Sequence, residues 1–178
     1  MQTVEVLSQL ISECHEWFEA TVSDVTAEQA HWHPPGVANP ICAVYAHVVA
    51  GADVTVNTIL NARPPLMRNH GGGKAGLSKP PGPGDWHEWA ANLQIDLDIY
   101  RPYARAVYSC WAEYLKSLSD NDLERVVDLS MFGMAGRSLA QVLGMQVEHF
   151  SGHCGEIAAL KGLQGAVGYR PGTSDGIG

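Results

Sequence analysis

Residues 138–162 read SLAQVLGMQVEHFSGHCGEIAALKG, and this stretch predicts a long helix with one buried face. Ser138 stands three residues before Gln141, which is the spacing of a capping box at a helix start, and Gly162 is typical of a helix end. The apolar residues recur every three or four positions, as a single buried helix face requires. The residues on this face are Leu139, Val142, Leu143, Gln146, His149, Phe150, His153, Ile157 and Leu160.

Two histidines, His149 and His153, lie on that face four residues apart. Residues at this spacing project from the same side of a helix one turn apart, so two imidazoles can chelate one divalent metal ion. With eight histidines in 178 residues, such a pair also arises by chance and then packs in the core or lies at the surface. A third ligand from another helix is therefore needed before the pair predicts a metal site.

The composition is that of one soluble domain covering residues 1–178. With 178 residues, 46% of them hydrophobic, the chain is long enough to bury a core without disulfides. Its net charge of −8 and the absence of a Lys/Arg cluster argue against nucleic acid as a partner. No apolar run approaches the roughly 20 residues that span a bilayer, so we expect no membrane partner.

The four cysteines, Cys14, Cys42, Cys110 and Cys154, are widely separated and form no C-x-x-C pair. No signal peptide is recognised before them, so they are expected to be reduced thiols of a cytoplasmic protein. Cys154 directly follows a histidine but points about 100° away around the helix, which favours packing over nucleophilic attack.

Three further helices are predicted before this one, which makes the expected fold an all-α four-helix bundle. The first covers residues 4–25. The second begins with Asn39 as N-cap and Pro40 in its first turn, and it continues to about residue 62. The third begins after the capping residue Asp85 and continues to about residue 118, with a kink or a break expected at Pro102.

A long connection, residues 63–84, separates the second and third helices, and half of its 22 residues are Gly or Pro. This composition excludes helix and strand interiors, so the segment is expected to be a crossover loop along the bundle or a lid over a site. Residues 126–129 and 131–134 are expected to form a short extended pair, and residues 169–178 a surface tail.

The third metal ligand is expected from the second helix. His47 lies there among apolar residues, which is unusual for histidine. Polar residues on the inward faces of bundle helices converge, so His47, His149 and His153 are predicted to form one three-histidine metal site. Such a site leaves a position open for water or substrate, and it suits zinc or nickel, with iron or manganese as alternatives.

Three stretches of the chain resemble the DinB-like, or YfiT-like, metal-binding four-helix bundles. They are Trp32-His33-Pro34, then Asn39-Pro40-Ile41 followed by His47, and finally His149-x3-His153-x-Gly155-Glu156-Ile157. The resemblance implies that these three histidines bind the metal. It also implies helices that run up, down, down and up, with residues 63–84 as the crossover between the second and the third.

Two positions depart from this family pattern. Relatives often carry a second histidine just before the last ligand and a glutamine three residues after it, whereas this chain has Gly152 and Glu156. Glu156 lies one turn beyond His153, so it could accept the imidazole N–H, bind the metal or act as a general base. We treat it as the candidate catalytic residue, and an ordinary exposed carboxylate is the alternative.

Two functions are consistent with these expectations. The first, implied by the resemblance, is a metal-dependent thiol S-transferase, isomerase or hydrolase that acts on a small molecule, with a low-molecular-weight thiol as a candidate partner. An open metal position lowers the pKa of a bound water or thiol and polarises a carbonyl, which serves all three reactions. The alternative is a non-catalytic metal-binding or stress-response bundle, dimeric through an exposed helix face. A third reading is that the histidines only pack.

A few other side chains have simpler expected roles. Trp17 and Trp111 stand at helical core positions, whereas His15 is expected at the surface. The sequence identifies no partner for Asp53.

Overall fold

Helices form most of the protein, and the predicted all-α class is confirmed. The structure is a computed structural model that describes residues 2–69, 74–82 and 85–169. Within these ranges the α-helices are α1 (Thr3–Val22), α2 (Ala27–His31), α3 (Ile41–Asp53), α4 (Trp86–Asn92), α5 (Leu97–Lys116) and α6 (Leu139–Leu163). Two short strands, β1 (Val126–Val127) and β2 (Arg137–Ser138), form an antiparallel pair.

The core lies between α1, α3, α5 and α6, which pack against one another. Aromatic side chains fill much of it, because each buried ring removes a large apolar area from water. The fully buried rings belong to Phe18, Tyr45, Tyr100, Tyr103, Trp111 and Phe150. Two of these rings donate hydrogen bonds to the backbone: Tyr100 donates to the Ala46 carbonyl and Trp111 to the Ala52 carbonyl. These two bonds join α5 to α3.

The start of α3 lies one residue later than predicted. Pro40 rather than Asn39 is the capping residue, because the Pro40 carbonyl accepts hydrogen bonds from the N–H groups of Ala43 and Val44. Together with the π-helical segment that follows it, the helix ends at Leu60, within two residues of the predicted end.

A π-helical segment, Val54–Leu60, extends α3. The combined stretch Ile41–Leu60 is long and apolar enough to cross a membrane, but 72% of it is buried inside the bundle. Burial of this extent is what the core helix of a soluble protein shows.

The connection between α3 and α4 contains more structure than its composition predicted. Leu66–Asn69 is a turn of 3-10 helix, and Leu77 pairs with Ile95 in an isolated β-bridge. The buried carboxylate of Asp53 accepts hydrogen bonds from the N–H groups of Leu66 and Met67. Two parts of the predicted crossover, residues 70–73 and 83–84, lie outside the described residues, as do residues 170–178 of the predicted tail.

The predicted third helix is two helices, and the break is not at Pro102. The chain leaves α4 after Asn92, and Asp96 begins α5 by accepting hydrogen bonds from the N–H groups of Asp98 and Ile99. A strong capping residue therefore sets the boundary. Pro102 lies inside α5, near its N-terminal end.

The extended pair predicted for residues 126–134 is also different. Val126 pairs with Ser138 and Val127 with Arg137, so the second strand directly precedes α6. The segment predicted to pair forms a 3-10 turn, Ser130–Phe132, followed by Gly133 in the left-handed conformation with φ of 69°.

Two residues of α1 lie in other environments than the sequence predicted. His15 is only 6% exposed and its ring stacks on Tyr108, whereas Trp17 is 58% exposed. Both expectations for these residues were wrong. The reason is that α1 packs against α5 and α6 together, and His15 faces the aromatic side chains of both helices, Tyr108 and Phe150.

Candidate metal centre

Two helices supply the three predicted ligands. His47 projects from α3, and His149 and His153 project from α6. The predicted capping box at the start of α6 is present: Ser138 Oγ accepts the N–H of Gln141, and the Gln141 side chain accepts the N–H of Ser138. This cap fixes where the long helix begins, and with it the direction of the two histidines one turn apart.

The three imidazoles meet between α3 and α6. One ring nitrogen from each histidine lies within 4.8 Å of the others. The Nε2 atoms of His47 and His149 are 3.0 Å apart, and the ring centres of His149 and His153 are 4.7 Å apart. The structure therefore brings together the residues that the sequence singled out, in a group that could hold one metal ion.

The environment favours neutral imidazoles. All three histidines are partly buried. Burial, followed by the neighbouring His153, lowers the pKa of His47. Burial also lowers the pKa of His149 to about 4, with smaller effects from His47 and His153. Neutral imidazole is the form that binds metals, so neither His47 nor His149 must lose a proton at pH 7 before binding.

Glu156 contacts His153, one of the candidate ligands, directly. Its Oε2 atom is 2.7 Å from Nδ1 of His153, one helical turn earlier. A carboxylate at this position accepts a hydrogen bond from Nδ1–H of the imidazole, which leaves the lone pair of Nε2 free to bind a metal ion. Of the three roles that the sequence left open for Glu156, this contact supports that of an imidazole partner.

Trp86, the first residue of α4, also holds His47 in place. The indole and imidazole ring centres are 4.7 Å apart in an edge-to-face arrangement. The sequence gives no sign that this residue belongs to the site, because it follows the long connection and no periodic pattern links it to α3. Only its position beside the capping residue Asp85 shows that a helix starts there.

A cavity of about 610 Å³ lies beside the histidines. One wall is apolar, and the segment between β1 and β2 contributes to it through Leu129, Phe132 and Met134. The other lining residues are His47, Gly51, Thr55, Val142, Met145, Gln146, Glu148, His149, Gly152, His153 and Glu156. A ligand bound in this cavity would contact the candidate metal site directly.

Cys154 behaves as the sequence predicted. Its side chain is buried and contacts the hydroxyl of Thr21, and burial raises the pKa of its thiol. A buried thiol with a raised pKa is a poor nucleophile, which agrees with a packing role.

Comparisons with known proteins support the fold. The crystal structure of a conserved protein from Enterococcus faecalis superposes with a TM-score of 0.75 over 92% of this chain and 97% of that protein, at 21% sequence identity. Similarity at this identity establishes the shared fold alone. No curated protein matches the chain. The sequence model of the DinB superfamily matches residues 10–157, which include all three histidines, and the chain therefore belongs to the DinB superfamily.

Proposed function

We propose that the protein binds one divalent metal ion through His47, His149 and His153, and that this site is the centre of an enzyme. The observation that carries the proposal is the position of the three imidazoles at a cavity of about 610 Å³. Structural zinc sites are enclosed by four protein ligands, whereas three ligands beside a cavity leave a position for water or substrate. Zinc and nickel are the proposed ions, with iron or manganese as alternatives.

The chemistry follows from the donor set. When bound, such an ion lowers the pKa of a coordinated water or thiol and polarises a carbonyl oxygen. Glu156 accepts a hydrogen bond from Nδ1–H of His153, so that the lone pair of Nε2 remains available to the metal ion. As the candidate catalytic residue, Glu156 also accepts a proton from the attacking group. The apolar wall of the cavity limits water around the reacting atoms.

The proposed reaction class is thiol S-transfer, isomerisation or hydrolysis. The substrate is a small molecule, because the cavity is of the size that small ligands occupy. A low-molecular-weight thiol as the second substrate rests on analogy with the family rather than on a contact in the structure.

A non-catalytic metal-binding or stress-response bundle is the alternative. The exposed side chains of Leu10 and Trp17 on α1 favour it, since they provide an apolar surface through which two copies could pair. Such a bundle has no need of a cavity beside its metal ligands, and for this reason we place the enzyme first.

We also propose the up-down-down-up topology. Cys14 contacts Ser151, and Thr21 contacts Cys154. Residue numbers therefore increase in the same direction along α1 and α6, which makes these two helices parallel. Between α5 and α3, Tyr100 contacts Ala46 and Trp111 contacts Ala52, so these two helices are parallel as well. Two parallel pairs of this kind require a crossover between α3 and α5, and residues 63–84 are the segment proposed for it.

A cytoplasmic location is proposed from the cysteines. All four are free thiols, and two of them, Cys42 and Cys154, are buried in the bundle. Free thiols persist where the compartment is reducing.

The test is metal analysis combined with an activity screen. Protein purified without a polyhistidine tag or chelator would be loaded with zinc or nickel and assayed for transfer of several cellular thiols to a chlorodinitrobenzene electrophile. Turnover that requires metal and disappears in His149→Ala would support the enzyme. Stoichiometric metal without turnover on thiol, ester or isomerisable substrates would favour the non-catalytic bundle instead.

A further inference from the structure

The side-chain amide of Gln146 has no hydrogen-bond partner among the described residues. Gln146 lies on α6 one turn before His149, lines the cavity beside the metal site, and is 9% exposed. Its Oε1 atom is buried without a hydrogen bond, and within residues 2–69, 74–82 and 85–169 no group donates to or accepts from the amide. Among the described residues that line the cavity, Thr55 is the one with a hydroxyl group, and this hydroxyl donates to the Gly51 carbonyl.

An unpaired amide at this position is unusual for a packing residue. Burying a polar group without a hydrogen bond destabilises the fold, and a methionine or leucine would fill the same space without that penalty. Unpaired polar groups in binding sites gain their partner when a ligand enters. Rotation of the amide presents either its oxygen or its NH2 group, so the partner can donate or accept a hydrogen bond.

The charged side chains around the cavity limit which chemical groups a ligand can carry. Glu148 and Glu156 are its charged lining residues, and the described part of the lining contains no lysine or arginine. In the metal-free protein, a carboxylate or phosphate on the ligand would therefore lie near two negative side chains without a cation to pair with, whereas a bound divalent ion would itself attract such a group. Phe132, Met134 and Met145 provide an apolar surface that adapts in shape, since methionine side chains are flexible.

We propose that Gln146 is the specificity-determining residue of this cavity and binds an amide or hydroxyl group of an uncharged ligand whose apolar body packs on Phe132, Met134 and Met145. This inference deepens the proposed function and rests on it, because it concerns the ligand of the same site. The ligand would then make a polar contact with Gln146 and an apolar contact with the surface formed by the other three side chains.

The test uses four small probes that share a phenyl body: ethylbenzene, 2-phenylethanol, phenylacetamide and phenylacetate. Binding to the metal-free full chain would be measured by NMR titration of the wild type, of Gln146→Met and of the control Gln9→Leu, whose residue is exposed on α1. In the wild type and in Gln9→Leu, the alcohol and the amide should bind more tightly than phenylacetate. In Gln146→Met their affinity should fall about tenfold, the effect of one lost hydrogen bond, while ethylbenzene binding is unchanged.

A second measurement does not depend on the variant folding. In the wild type, the side-chain NH2 signals of Gln146 should shift on addition of phenylacetamide and remain in place with ethylbenzene. Equal affinities of the wild type and Gln146→Met for all four probes would overturn the proposal, as would tightest binding of phenylacetate or no binding of any probe. Titrations with zinc and with chelator separate the two proposals: a wild type that binds no metal refutes the metal site, while the probe series still decides the role of Gln146.

Discussion

The Nε2 atoms of His47 and His149 lie 3.0 Å apart, although 102 residues separate them in the chain. Two nitrogens at this distance cannot both carry a proton without N–H groups meeting head to head. The fold therefore disfavours the doubly protonated pair, in agreement with the lowered pKa values of both histidines. A metal ion satisfies both nitrogens at once, since each then donates its lone pair to the same cation.

The first prediction is that each of the three histidines is required for metal binding. Wild-type protein should contain about one zinc or nickel ion per chain after loading, as three imidazoles provide an open site. His47→Ala, His149→Ala and His153→Ala should each lose most of it. Elemental analysis after desalting at neutral pH measures the content, and circular dichroism checks that each variant remains folded.

The control for this experiment is His87→Ala, which removes an exposed histidine outside the three-histidine group. It should retain the full metal content. Equal metal in all five proteins would refute the assignment of the site.

The second prediction separates the two roles of Glu156. Glu156→Gln keeps an oxygen that can accept the Nδ1–H of His153, so fold and metal content should be preserved. It removes a group that can take up a proton, so turnover on a substrate found in the screen should fall by about 10²- to 10⁴-fold, the usual effect of losing a general base. Steady-state kinetics on metal-matched samples measures it.

Glu148→Gln is the matched control, because Glu148 is a carboxylate in the wall of the same cavity and makes no hydrogen bond to a candidate ligand histidine among the described residues. Its turnover should be close to that of the wild type. If both variants are equally active, Glu156 is a structural partner of His153 and not a base.

Periodicity in the sequence predicted which histidines come together, because positions on one helix face follow from helix geometry. The i, i+4 pair must share a face, and His47 had to lie on an inward face for the same reason. The partners of Asp53 could not be predicted, because two of them are backbone N–H groups of the connection and backbone groups carry no sequence signal. The break before α5 was misplaced at Pro102. Asp96 caps a new helix start before that proline, and the β-bridge between Ile95 and Leu77 is a contact between distant residues that the local sequence does not indicate.

The third prediction concerns acid stability and His15. Burial lowers the pKa of this histidine to about 4, whereas the unfolded chain binds the proton near the ordinary value of 6.5. Its contribution to stability is therefore complete above pH 6.5, falls as the pH decreases to about 4, and is lost below that. The loss amounts to about 3 kcal/mol of unfolding free energy.

Replacement of His15 by phenylalanine removes this titration and keeps a ring to stack on Tyr108. Nε2 of His15 has no hydrogen-bond partner among the described residues, so the replacement loses no hydrogen bond there. At pH 7 the unfolding free energy of His15→Phe should therefore be at most about 1 kcal/mol lower than that of the wild type. Urea denaturation between pH 4 and pH 7 should show a shallower decline for the variant. Parallel profiles for the two proteins would contradict the burial of His15. Burial raises the pKa of Glu19. Because Glu19 is present in both proteins, its effect on the pH dependence of stability cancels in the comparison.

The fourth prediction is that Asp53 anchors the connection between α3 and α4. Its carboxylate is fully buried and accepts hydrogen bonds from the Asn57 side chain, the Tyr103 hydroxyl and the N–H groups of Leu66 and Met67. Asp53→Ala leaves several buried donors unpaired and should lower the unfolding free energy by about 3 kcal/mol or more. Tyr103→Phe removes one donor and should lower it by about 1.5 kcal/mol.

Hydrogen exchange distinguishes an anchor from a residue that merely fills the core. In Asp53→Ala the amides of Leu66 and Met67 should exchange much faster than in the wild type, because their acceptor is gone. In Tyr103→Phe these two amides should remain protected, since their bonds to Asp53 are intact, even though the bundle as a whole is less stable. Equal protection of both amides in the wild type and in Asp53→Ala would show that the connection is held by other contacts, and Asp53 would then stabilise only α3 and α5.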